Sequence, residues 1–160
     1  MNPLPRSLSL ASLMVVVGLS WGDLCEAADP FTIVVLPDTQ HYTDNGQNYA
    51  HFVAQARWIG SNIATENIVF TTHVGDIVES NGADALQWLR ADRVLTRFDV
   101  YPSFPYGVAL GNHDYDNVSS NPSDSADTYI SRFGAERYLG RPWYGGSSPD
   151  QRSHWQRFYA

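Results

Sequence analysis

Three short polar segments of the chain carry side chains suited to hydrolytic chemistry. They are Asp38-Thr39-Gln40, Gly75-Asp76-Ile77-Val78-Glu79 and Gly111-Asn112-His113-Asp114. Carboxylate and amide oxygens are hard donors of the kind that divalent cations prefer. The imidazole of His113 titrates near neutral pH, so it can transfer a proton during a reaction. These residue types together indicate hydrolysis assisted by bound cations.

Each polar segment follows an apolar run that is typical of a buried parallel strand, at residues 31–36, 68–74 and 107–110. Apolar residues recur at helical spacing between these runs, over residues 49–63 and 88–98. The alternation of strand and helix predicts an α/β fold with a parallel sheet. Because the carboxyl ends of parallel strands share one edge, we expect the three polar segments to converge there.

In their order and on successive strands, these segments resemble the motifs of the calcineurin-like metallophosphoesterases. That family carries Asp-x-His, then Gly-Asp-x-x-Asp, then Gly-Asn-His-Asp/Glu. The resemblance is strong over residues 31–114 and loose beyond them. It implies a two-sheet sandwich flanked by helices, of which this chain holds the first βαβαβ half. It also implies metal-dependent hydrolysis of a phosphomonoester or phosphodiester, by a hydroxide that bridges two divalent ions of Mn, Fe, Zn or Mg.

Carried onto this sequence, the resemblance implies four metal ligands. Asp38 would bind the first ion, Asp76 would bridge both ions, and Asn112 would bind the second. Gln40 stands where the family has a His, and its amide oxygen remains a possible ligand.

The resemblance also implies two catalytic residues. His113 would protonate the leaving oxygen or stabilise the transition state. Glu79 stands where the family's second Asp would orient that His, and it is longer by one methylene. His73, in the body of the second strand, is interpreted as a core or near-site residue and not as a ligand. Asp114 either orients a neighbour in the site or caps the loop after its strand.

The later part of the chain lacks the remaining family motifs. Family members have an isolated His ligand and then Gly-His-x-His, and neither pattern occurs before Ala160. His154 is the only late candidate ligand, in surroundings that are typical of a loop. A short helix is predicted over residues 128–138, a Gly/Pro turn region over 141–149, and the start of a strand over 157–159.

Four ligands are few for two cations, so residues 28–160 are expected to be the amino-terminal part of a longer domain. The missing carboxyl-terminal half would complete the site. The alternative hypothesis is a non-catalytic remnant that binds metal weakly or docks a partner through an uncovered sheet face.

Composition excludes several other classes of protein. A net charge of −7 over 160 residues argues against affinity for nucleic acid. All ten basic residues are Arg, which excludes a lysine Schiff base and a P-loop lysine. Residues 1–27 are typical of a signal peptide, with an apolar stretch over 8–19 that is too short for a stable membrane span. The protein is therefore expected to be exported to the periplasm or the exterior. The family resemblance implies a phosphoester as its substrate.

Overall fold

A three-stranded parallel sheet is the centre of the fold. The computed structural model describes residues 30–117, 121 and 123–159, so the predicted signal peptide lies outside the described residues. The strands are β1 (Thr32–Leu36), β2 (Ile68–His73) and β3 (Tyr106–Val108), and they pair in that order. The predicted α/β architecture with a parallel sheet is confirmed.

Two helices connect the strands and cover one face of the sheet. After the short helix α1 (Gln40–Asp44) come α2 (Tyr49–Asn62), between β1 and β2, and α3 (Ala85–Leu95), between β2 and β3. The side chain of Asp84 caps α3 by accepting hydrogen bonds from two backbone N–H groups of its first turn. Both helices bury an apolar stripe in the common core, which includes Phe52 and Trp88.

Three short 3₁₀ segments and one further helix complete the helical elements of the described residues. The 3₁₀ segments are Asn81–Ala83, Thr96–Val100 and Ala135–Tyr138, and the last of these follows helix α4 (Asp127–Phe133). None of the helices in the described part of the chain is long and apolar enough to cross a membrane.

The face of the sheet opposite the helices is partly open. Ile33 and Val35 of β1 are 44% and 57% exposed, and they pair in register with Phe70 and Thr72 of β2. Directly paired residues of neighbouring strands lie on the same face, so these four side chains form one surface.

A two-stranded antiparallel sheet begins a second layer over this face. It consists of β4 (Tyr144–Ser147) and β5 (His154–Gln156). Its last strand contacts β3, where the Gln156 side chain lies over Gly107. Just beyond β5, the Phe158 ring stacks on Phe70 at a centroid distance of 5.1 Å. The β1 half of the open face has no such cover among the described residues.

Three predictions about the later part of the chain are wrong. The region expected to be a Gly/Pro turn contains β4, because Gly145 and Gly146 give a strand surface flat enough for the Trp155 ring. A Cβ on Gly145 would lie 2.2 Å from the indole nitrogen of Trp155. His154 lies in β5 and not in a loop, and the strand ends at Gln156 instead of beginning at residue 157.

Candidate functional site

The loops after β1 and β2 are joined through their backbones. Thr39 N–H donates to the carbonyl oxygen of Asp76 at 3.1 Å. Beside it, a carboxylate oxygen of Asp38 accepts from the backbone N–H of Gln40 at 2.9 Å, and the Asp38 side chain remains exposed. The structure therefore brings the first two polar segments together at the carboxyl edge of the sheet.

The second loop has an unusual backbone at the residue predicted to bridge two cations. Gly75 has a φ of +96° and Asp76 a φ of +53°, so both lie in the left-handed region. This turn presents the Asp76 carboxylate to the third loop, where its Oδ1 accepts from the backbone N–H of His113 at 2.9 Å.

The third loop passes very close to the second. A Cβ added to Gly111 would lie 2.0 Å from the backbone nitrogen of Asp76 and 2.2 Å from its Oδ1. Only glycine fits such an approach without moving a backbone. Steric exclusion therefore explains why residue 111, just before Asn112, is a glycine. Asn112 itself is exposed at this edge of the sheet.

Asp114 fastens the second and third loops to each other. Its fully buried carboxylate accepts from Gly111 N–H at 2.8 Å with one oxygen, and from Ile77 and Val78 N–H at 2.7 and 3.2 Å with the other. Burial raises the pKa of Asp114 to about 6, against the opposing effect of the three backbone N–H donors. The sequence left two roles open for Asp114, orienting a neighbour in the site or capping the loop after its strand. The structure supports the first, because Asp114 holds the second and third loops together.

His113 is held by the main chain of Glu79. Its Nδ1 lies 3.0 Å from the Glu79 carbonyl oxygen and 3.7 Å from the nearer carboxylate oxygen, Oε2. A carbonyl oxygen can only accept, so Nδ1 carries a proton and Nε2 remains for reaction. The Glu79 carbonyl raises the pKa of His113, and the charges of Asp76, Glu79 and Asp114 act in the same direction. The Glu79 backbone carbonyl therefore orients the His113 ring, whereas the sequence predicted that the Glu79 side chain would do so.

His41 lies beside the same carboxylate. Its Nδ1 is 3.8 Å from Glu79 Oε2 and 3.6 Å from a carboxylate oxygen of Asp44, and its side chain is two-thirds exposed. Glu79 Oε2 is therefore placed between two imidazoles.

Two buried oxygens at this edge accept no hydrogen bond from the described residues, Gln40 Oε1 and Glu79 Oε2. A buried acceptor without a donor is costly unless something else, such as a cation, satisfies it. No group of three or more His, Cys, Asp or Glu side chains within the described residues is placed to hold a metal ion. The donors here are two carboxylates and two amides, and in chemical type they fit a hard cation.

His73 connects the first two loops from inside the sheet. It is fully buried, its Nδ1 accepts from Gly75 N–H at 3.1 Å, and its Nε2 lies 2.9 Å from Thr39 Oγ1. Since Nδ1 accepts, the neutral ring carries its proton on Nε2 and donates it to Thr39. The interpretation of His73 as a near-site residue agrees with this position.

Substituting Gly111 by Ala is expected to destabilise the protein by at least about 2 kcal/mol, because the new methyl group would overlap the Asp76 backbone. Urea unfolding would measure the loss. Gly46→Ala is the matched control: its Cβ would approach nothing closer than 3.5 Å, at the end of the Arg90 side chain, so it should change stability by less than about 0.5 kcal/mol. Equal stabilities for the two variants would contradict the close approach.

The stability contributed by residue 73 should depend on pH. Burial lowers the pKa of His73 from 6.5 to about 4. Between these values the unfolded chain binds a proton that the folded chain excludes, so stability is lost as the pH falls through this window. The unfolding free energy of the wild type relative to His73→Gln should fall by roughly 3 kcal/mol between pH 7 and pH 4.

Urea titrations of both proteins at pH 7, 5.5 and 4 would measure this difference. Other groups, including Asp114, titrate in both proteins, so their contributions cancel in the comparison. A difference that stays constant over this range would show that His73 is not held neutral.

Comparison with known proteins yields one curated relative. The chain is similar to the uncharacterized protein YvnB of Bacillus subtilis (strain 168), with 37% identity over 130 residues. The aligned region covers 81% of this chain and 9% of the relative, so the chain spans about a tenth of the relative's length. No protein-family model and no solved structure gives a match.

Proposed function

We propose that this chain carries the amino-terminal part of a metal-dependent phosphoesterase of the calcineurin-like type. The observation that supports this most strongly is the convergence of the three strand-end loops. The Asp76 carboxylate accepts from His113 N–H, Thr39 N–H reaches the Asp76 carbonyl, and Gly111 is in contact with the Asp76 backbone. Polar side chains gathered at the carboxyl edge of a parallel sheet are the usual position for a ligand site in such folds.

Cations would be held by Asp38, Gln40, Asp76 and Asn112. The structural feature that fits a cation best is the buried Oε1 of Gln40, which accepts no hydrogen bond from the described residues. When bound, two divalent ions would supply positive charge against the phosphoryl oxygens and lower the pKa of the attacking water. The alternative of a single, weakly held ion uses the same donors.

His113 is the residue that would deliver a proton to the leaving oxygen. The Glu79 carbonyl holds Nδ1 and fixes the direction of the ring, so the opposite nitrogen, Nε2, faces away from this bond. A ring held in this way can transfer a proton from Nε2 without reorienting during the reaction.

The open sheet face supports the finer assignment of a two-sheet sandwich. The strands β4 and β5 begin a second layer, whereas Ile33 and Val35 remain largely exposed. In a sandwich, a second sheet packs about 10 Å from the first and covers such a face. Further residues of the whole protein would then complete both the core and the ligand set.

The same open face favours one rival function, a non-catalytic interaction module. An apolar surface of this kind also suits the docking of another protein. Metal stoichiometry separates the two hypotheses: two tightly held cations per chain support the enzyme, and none or one supports the non-catalytic module.

Full-length protein supplied with Mn²⁺ is expected to hydrolyse a phosphomonoester or a phosphodiester, and Asp76→Asn should lower kcat/KM at least about a hundredfold by removing a ligand charge. Steady-state assays with 4-nitrophenyl phosphate and bis(4-nitrophenyl) phosphate would measure this. Glu66→Gln is the control, because this exposed carboxylate lies just before β2, at the opposite end of the sheet. It should retain wild-type activity.

Two results would contradict the proposal at different levels. Folded wild type that turns over neither compound with Mn²⁺, Fe²⁺, Zn²⁺ or Mg²⁺ would exclude the phosphoesterase. A fully active Asp76→Asn would exclude only the bridging role of that carboxylate.

A further inference from the structure

A cleft of about 260 Å³, lined by both polar and apolar residues, lies between the end of β3 and the β4–β5 hairpin. Its floor is formed by Thr72 and Gly107, on the open face of the parallel sheet. Leu110 lines it and is followed directly by Gly111 and Asn112, so the cleft adjoins the candidate site. The hairpin side is lined by Arg152, Ser153, His154 and Gln156.

A chain of hydrogen bonds fixes the orientation of the Gln156 amide. The Val108 carbonyl can only accept, so the Tyr129 hydroxyl donates to it at 2.6 Å. The Tyr129 oxygen then accepts from His154 Nε2 at 3.4 Å. Burial lowers the pKa of His154, which keeps the ring neutral. With its proton on Nε2, the ring accepts at Nδ1 from Gln156 Nε2 at 2.5 Å.

The other end of this amide is therefore an acceptor that lies over the floor of the cleft. Gln156 Oε1 would be 2.8 Å from a Cβ on Gly107, so the absence of a side chain at residue 107 makes room for it. An acceptor in this position is complementary to a ligand that carries a hydroxyl donor.

The charge of the cleft suits an anionic ligand. Among its described lining residues it has one guanidinium, that of Arg152, and no carboxylate, in a chain whose net charge is −7. Arg152 is positioned by a hydrogen bond to the Asp124 carbonyl and lies 5.5 Å from the centroid of the Tyr115 ring. The exposed carboxylate of Asp150 lies 3.9 Å from Arg152 Nε.

We propose that this cleft binds the alcohol portion of the phosphoester and selects a leaving group that carries a hydroxyl, which donates to Gln156 Oε1. Arg152 attracts the anionic substrate to the same wall. This assignment rests on the proposed phosphoesterase function and adds a substrate class to it, esters of polyhydroxylated alcohols. Gln156 is a specificity residue in this scheme and takes no part in proton transfer.

Glycerol 1-phosphate and propyl phosphate provide the test, since they differ only in the hydroxyl groups of the alcohol. Gln156→Leu is expected to lower kcat/KM for glycerol 1-phosphate by about tenfold, because it removes one hydrogen-bond acceptor, and to leave propyl phosphate within about twofold. Gln47→Leu, the same change at an exposed loop position, should affect neither substrate.

A second variant keeps the test valid if Gln156→Leu folds poorly. Gly107→Ala displaces the amide oxygen through its new methyl group and should give the same selective loss for glycerol 1-phosphate. The cleft assignment would be overturned if the wild type does not discriminate between the two substrates, or if the variants slow both equally. Neither result would contradict the proposed phosphoesterase activity.

If neither compound is turned over, the proposed function is still tested separately with the two nitrophenyl esters, because it includes diesterases, and the cleft is tested by ligand binding. Calorimetric titration of glycerol 1-phosphate into chelator-treated protein should give a Kd about tenfold lower for the wild type than for Gln156→Leu. Equal affinities, or no binding, would overturn the proposal without reference to activity.

Discussion

The carboxylate of Asp114 accepts three backbone hydrogen bonds from the loops that follow two neighbouring strands. These loops have no regular secondary structure to satisfy their N–H groups, and the carboxylate does so from a fully buried position. The arrangement keeps Gly111 in contact with Asp76, and thereby sets where the Asp76 and Asn112 side chains can lie. Loss of this one group would leave three buried donors without acceptors and release both loops.

The site separates the residues that build it from those available for chemistry. His73, Thr39 and Asp114 are buried, and their polar atoms bind backbone or each other. By contrast, Gln40 and Glu79 each keep a buried oxygen that accepts no hydrogen bond from the described residues. A site that satisfies its scaffold and leaves acceptors at one edge is organised for a cationic or hydrogen-donating ligand. In the neighbouring cleft, a directed chain of hydrogen bonds likewise orients the Gln156 amide, and its oxygen lies over Gly107 on the cleft floor.

The strands and the shared edge of the candidate site could be predicted because they depend on local sequence patterns. Continuous apolar runs gave the three strands to within a few residues, and parallel pairing then required Asp38, Asp76 and Asn112 to share an edge. Interactions between distant segments were not predictable in this way. The bonds from Asp114 to Ile77 and Val78 span 37 and 36 residues, and nothing near Asp114 distinguishes them from a local cap. The two glycines of β4 indicated a turn because the ring of Trp155 that requires them lies in another strand.

The left-handed backbone of Asp76 has a consequence for the evolution of this loop. A residue with a Cβ holds that conformation at a cost of about 1 kcal/mol, although aspartate and asparagine adopt it more readily than other side chains. Glycine would relax the backbone, yet glycine has no carboxylate to offer. Selection for thermal robustness and selection for a charged group therefore act in opposite directions at this residue. An aspartate at residue 76 therefore keeps a charged group at this edge of the sheet at the expense of backbone stability.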